Sequence, residues 1–146
     1  MRSSIWVAAF LIASGGAIAG AEPPIPADVN VVTPDAALPA PLAGYAGRWS
    51  GMWIGAGDRL PHILIVEKIS PESFSAVYAW GDSQGEYGSL KAGSRRITGT
   101  VADGKLSAKL GPASVVYILK DDGTIAGTFT NARGFESKAT LKKQKS

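Results

Sequence analysis

Residues 105–130 read KLSAKLGPASVVYILKDDGTIAGTFT. Leu106, Ala108 and Leu110 alternate with Lys105, Ser107 and Lys109, and Ile125 and Phe129 alternate with Thr124, Thr128 and Thr130. A period of two sends successive side chains to opposite faces, so these runs are strands with one apolar and one polar side. Gly111-Pro112 and Asp121-Asp122-Gly123 punctuate them as turns. Outward from this stretch the same reading gives strands at Arg48–Ile54, Ile63–Ile69, Phe74–Trp80, Arg95–Val101, Lys105–Leu110, Ser114–Leu119, Thr124–Thr130 and Ser137–Lys142. Asp103-Gly104 and Asp122-Gly123 are dipeptides that tight hairpins favour, because both residue types tolerate positive φ. No long stretch places apolar residues at helical spacing. An antiparallel meander without a helix to cover its apolar face solves that problem, and the problem of its two edges, by closing on itself. The expected fold is all-β, an antiparallel eight-stranded up-and-down barrel, with a β-sandwich as the alternative.

Composition excludes several function classes. At 45% hydrophobic and 18% charged residues the chain can build a core and is not a disordered polymer. With no cysteine it holds no disulfide, thiolate zinc site, iron–sulfur cluster, cysteine nucleophile or lipidated cysteine. A single histidine removes most histidine-based metal sites and leaves His62 as the one candidate for a triad. His62 follows Pro61 at a strand entrance, and no Gly-x-Ser-x-Gly elbow presents a serine to it, so it reads as a surface or strand-end histidine. Glu67, Asp82 and Glu86 offer no spacing that singles out a carboxylate pair. No catalytic residue, metal or cofactor is therefore expected. A formal net charge of +3 is too small to argue for a nucleic-acid partner, and Lys142-Lys143-Gln144-Lys145 reads as a solvated end.

The beginning of the chain reads differently. Residues 1–21, MRSSIWVAAFLIASGGAIAGA, carry one basic residue, an apolar run from Ile5 and then small residues. This is the pattern of a signal peptide, with the small-x-small site Ala19-Gly20-Ala21 placing cleavage before Glu22. The expectation is an exported protein, periplasmic or extracellular, with no stable membrane anchor after cleavage. Residues 22–44 contain six prolines and read as an extended linker, leaving residues 45–146 as the barrel domain.

Within the barrel, Trp49 and Trp53 share a face, as do Phe74, Tyr78 and Trp80. Strand two alternates less cleanly: Ile63, Ile65, Glu67 and Ile69 form one face, and if that face is inward Glu67 lies inside. Arg95 shares a face with Ile97 and Val101, which makes it the expected partner of Glu67, with Arg96 taking that place if the register slips by one. Aromatic residues in an unfilled barrel line a pocket, so the expected ligand-binding set is Trp53, Glu67, Tyr78, Trp80, Arg95 and Tyr117, around a small apolar or amphipathic molecule. The competing expectation is a filled barrel that binds another protein as an inhibitor or envelope accessory module.

Gly47-Arg48-Trp49 opens the first barrel strand, and a Gly-x-Trp there resembles the opening strand of calycin-type barrels, the lipocalins and avidins. The resemblance implies a tryptophan, Trp49, closing one end of a barrel that holds a small ligand. No arginine lies in the last expected strand to stack on it. Trp49-Ser50-Gly51-Met52-Trp53, Leu64-Ile65-Val66-Glu67 and Val77-Tyr78-Ala79-Trp80-Gly81 also look like a small β-module of secreted bacterial proteins, a resemblance that implies no activity.

Overall fold

The computed structural model describes residues 22–55, 58–83 and 90–145, so the expected signal peptide lies outside the described residues. A one-turn helix α1 (Ala40–Ala43) leads into β1 (Gly47–Gly55), β2 (Asp58–Ile69), β3 (Ser73–Trp80), β4 (Gly93–Ala102), β5 (Lys105–Leu110), β6 (Ala113–Leu119), β7 (Ile125–Thr130) and β8 (Glu136–Lys143). Each strand pairs antiparallel with its neighbour in sequence, and β1 pairs with β8. The sheet is one closed up-and-down barrel, as the alternation requires, and not a sandwich. At the β4–β5 hairpin Asp103 and Gly104 take φ of 53° and 75°, the two positive values that a two-residue turn matched to strand twist needs.

The inner faces carry the core. Trp49, Leu64, Val66, Leu106, Val115, Tyr117, Ile125 and Leu141 are all but inaccessible to solvent. One end of the barrel is shut by the chain that enters it. The Tyr45 hydroxyl donates to the Gly104 carbonyl at 2.7 Å and accepts from the Leu119 N–H at 2.8 Å. Trp49 donates its indole N–H to the Tyr45 carbonyl at 2.9 Å. Lys143, from the last strand, lies 4.8 Å over the Trp49 ring and donates to the Ala46 and Gly44 carbonyls. A lysine thus caps the tryptophan where no arginine was available, and burial pushes its ammonium pKa down.

Strand β2 departs from the alternation read in the sequence, and the reason is a bulge. Val66 pairs with Ala76 and Lys68 with Ser75, which leaves Glu67 as an extra residue without a partner on β3. Before the bulge Leu60, His62, Leu64 and Val66 point inward, while Ile63 and Ile65 point out; after it Ile69 points in. The isoleucine face is therefore not one face. Glu67 is not inside the barrel, and its partner is not Arg95. Its carboxylate accepts from Arg96 Nε at 3.0 Å on the outer face of β4, and Arg96 also holds Asp28. The Arg96 guanidinium keeps the Glu67 carboxyl below its ordinary range against the opposing effect of burial.

The proline-rich segment is likewise more than a spacer. Glu67, freed from the β2–β3 ladder, accepts the Val32 N–H on its carbonyl and the Asn30 N–H on its carboxylate, each at 2.8 Å. Ile25 and Val29 lie over Ile65, Val77 and Ala79, covering an apolar patch on the outside of β2 and β3. Proline prevents this segment from pairing along its length, so it docks at one bulge and one patch.

Candidate functional site

Among the described residues, nothing closes the end opposite Tyr45. Residues Gly93–Thr98 of β4 pair with β3, but β5 meets β4 only from Gly99 to Ala102. The β5–β6 hairpin is short, and the wall is low there. Inside this mouth lies a cavity of about 310 Å³, at the small end of the range for ligand pockets. Trp53, Tyr78, Trp80 and Phe129 form its aromatic wall, and Leu60, Leu90 and Leu110 its aliphatic one. Asp58, Arg95 and Ser137 supply the polar side chains. Asp58 accepts the Ser83 hydroxyl on both carboxylate oxygens, at 2.8 and 3.1 Å.

The aromatic wall is set by cross-strand geometry. Trp53 reaches inward because β7 offers a glycine: a Cβ at Gly127 would stand 2.9 Å from the far edge of the indole. With that edge against β7, the ring stacks on His62 at 5.1 Å and lies 6.0 Å from Phe129. Tyr78 packs 4.5 Å from His62 and 6.0 Å from Trp80. Trp80 lies over Gly93 and fixes its ring by donating to the Lys91 carbonyl at 2.7 Å.

Beneath the cavity a buried polar pair is fully satisfied. His62 donates from Nδ1 to the Ala79 carbonyl at 2.8 Å, which leaves Nε2 to accept from the Tyr117 hydroxyl at 2.8 Å. Burial pushes His62 down to about 4, opposed by the Ala79 carbonyl, so the ring is neutral at physiological pH. Burial, with Tyr78 adding to it, pushes the Tyr117 hydroxyl well up. Neither residue lines the cavity.

One donor higher up is not satisfied. Trp53 is 4% exposed, and its indole N–H is a buried polar atom without a hydrogen-bond partner among the described residues. Burial pushes the Tyr78 phenol up, with the Trp53 indole N–H and the Arg95 charge opposing it. Tyr78 and Arg95 face each other across the β3–β4 pair, both on the inner side.

Of the six residues expected at the site, Trp53, Tyr78, Trp80 and Arg95 come together around the cavity. Tyr117 lies below it on His62, and Glu67 is outside the barrel with Arg96. The sequence reading missed Leu60, Leu110, Phe129 and the burial of His62. Phe129 and Leu110 lie on apolar faces already legible by alternation; Leu60 and His62 were hidden by the wrong facing of β2. No three His, Asp or Glu side chains gather to hold a metal ion, and no helix is long and apolar enough to cross a membrane, among the described residues. Comparison of the chain with protein-family models, curated proteins and solved structures finds no match.

Proposed function

We propose that this is an exported, non-enzymatic binding protein that holds a small apolar or amphipathic molecule in the open end of its barrel. The observation that carries this reading is the cavity: one end of the barrel is plugged by Tyr45 and Trp49, while the other leaves about 310 Å³ between aromatic rings. Apolar walls with a few converging polar groups are what small-molecule sites present. Export rests on the apolar N-terminal sequence before Glu22. The test is titration with N-phenyl-1-naphthylamine, a neutral apolar fluorophore. Saturable, blue-shifted emission that is abolished by Leu110→Trp, which fills the cavity, is the expected result. Emission that never saturates, or that is unchanged in Leu110→Trp, refutes it. The protein-interaction alternative draws on Ile54 and Phe135, which are 55% and 63% exposed near the same end. It expects Ile54→Ser and Phe135→Ser, rather than Leu110→Trp, to abolish the biological activity.

A further inference from the structure

Three of the cavity's polar side chains have a proton to give. The Trp53 indole carries one N–H and no acceptor, the Arg95 guanidinium carries five N–H groups and no acceptor, and the Tyr78 hydroxyl has a proton to give. Among the described residues, Trp53 Nε1 is buried without a partner. Tyr78 is opposite Arg95 across the β3–β4 pair, and all three residues line the same cavity. Arg95 is exposed at the low part of the wall, where β4 lacks β5 as a neighbour, so its charge reaches the mouth without being sealed in the core. The other ionisable group at the rim, Asp58, accepts the Ser83 hydroxyl on both carboxylate oxygens.

We propose that the cavity is selective for a monocarboxylate with an apolar body, its carboxylate lying among Trp53 Nε1, the Tyr78 hydroxyl and the Arg95 guanidinium. This rests on the binding reading above and names its ligand class. A carboxylate is acceptor-only, so it satisfies a group of donors that an alcohol meets in part and an ammonium meets not at all. Burial of the indole N–H is then a preformed feature of the site, since an unpaired buried donor is costly until a ligand satisfies it. The apolar body contacts Leu60, Leu110 and Phe129.

The experiment compares decanoate, decanol and decylamine, each below its micelle concentration, by isothermal titration of the protein at about pH 7.5. Decanoate is expected to bind at least about tenfold more tightly than the other two. Arg95→Gln should erase that preference, weakening decanoate binding far more than decanol binding. Arg95 is a rim residue, so this variant keeps its fold. One indole N–H resonance should move downfield when decanoate is added and be missing in Trp53→Phe. Equal or tighter binding of decanol or decylamine overturns the proposal, as does a decanoate preference that survives Arg95→Gln. If none of the three chains gives heat, the binding reading itself falls, which is a different result from a wrong head group.

Discussion

His62 is the only histidine in the chain, so any titration of stability between pH 5 and 7.5 is assignable to it. In the folded barrel it is 1% exposed, stacked on Trp53 and packed on Tyr78, with both ring nitrogens hydrogen-bonded in the neutral form. Protonation would put a charge in that core and a proton on Nε2, where Tyr117 already donates. Burial accordingly lowers His62 from 6.5 to about 4. Between those values the unfolded chain binds a proton that the folded barrel refuses, so stability rises with pH. The contribution is complete above the unfolded value, falls away as pH drops below 6.5, and is gone below about 4. At about 1.4 kcal/mol per tenfold change in proton affinity, the full effect is about 3 kcal/mol, of which about 2 is lost between pH 7.5 and 5. Urea unfolding across that window reads it directly: with a slope of about 2 kcal/mol/M the midpoint should fall by about 1 M. The depressed carboxyls of Glu67, Asp28 and Asp122 act at lower pH and stay out of this window. His62→Gln should be less stable at neutral pH and flat from pH 7.5 to 5. A wild-type midpoint that moves by less than about 0.2 M would refute the buried neutral histidine.

Three further outcomes follow from named contacts. Tyr45→Phe should cost about 1–3 kcal/mol in urea unfolding, because it strips partners from the Leu119 N–H and the Gly104 carbonyl while leaving the ring in place; a change near zero would mean that water replaces the hydroxyl. Glu67→Gln should lower the urea midpoint, and a double-mutant cycle should find it coupled to Arg96→Gln and uncoupled from Arg95→Gln; coupling to Arg95 would put Glu67 back inside the barrel. The depressed Glu67 carboxyl contributes stability at neutral pH that is lost as pH falls below the ordinary carboxylate range, so the wild-type advantage over Glu67→Gln should shrink in acid. Gly127→Ala places a methyl 2.9 Å from the Trp53 ring, and should lower Tm by several degrees and shift tryptophan emission; unchanged emission would place Trp53 elsewhere.

The fold was legible because most strands have one wet and one dry side. Leu106, Ala108 and Leu110 declare the inner face of β5 without help from any other part of the chain, and Ile125 with Phe129 does the same for β7. The site was legible where it lay on such faces. Alternation puts Trp53 with Trp49 on one face of β1 and Tyr78 with Trp80 on one face of β3, and the size of these rings marks those faces as inner. Two features were not. The height of the wall depends on how far β5 climbs beside β4, a register that no local pattern carries. That register decides that Arg95 stands at an opening and not under a neighbouring strand.

Glu67 shows what a single inserted residue conceals. Ile63, Ile65 and Ile69 fall on one face of an ideal strand, and the wrong inward assignment of β2 follows from reading them together. The bulge breaks that face between Ile65 and Ile69: the phase ahead of it puts His62 in the core and Glu67, with Ile63 and Ile65, on the outer surface within reach of Arg96, and the phase after it turns Ile69 inward. It also takes the Glu67 carbonyl out of the ladder, and the Val32 N–H docks there. The same insertion therefore hides the histidine beneath the cavity, misplaces the charged residue expected inside it, and creates the anchor for a segment that composition alone reads as a linker. Period-two reasoning assumes a constant register, and a bulge is a change of register. The contradiction it leaves in the sequence is a glutamate among isoleucines. Such a residue marks the place to test both phases of the strand, since an unpaired carboxylate in an apolar barrel is costlier than one extra residue at its wall.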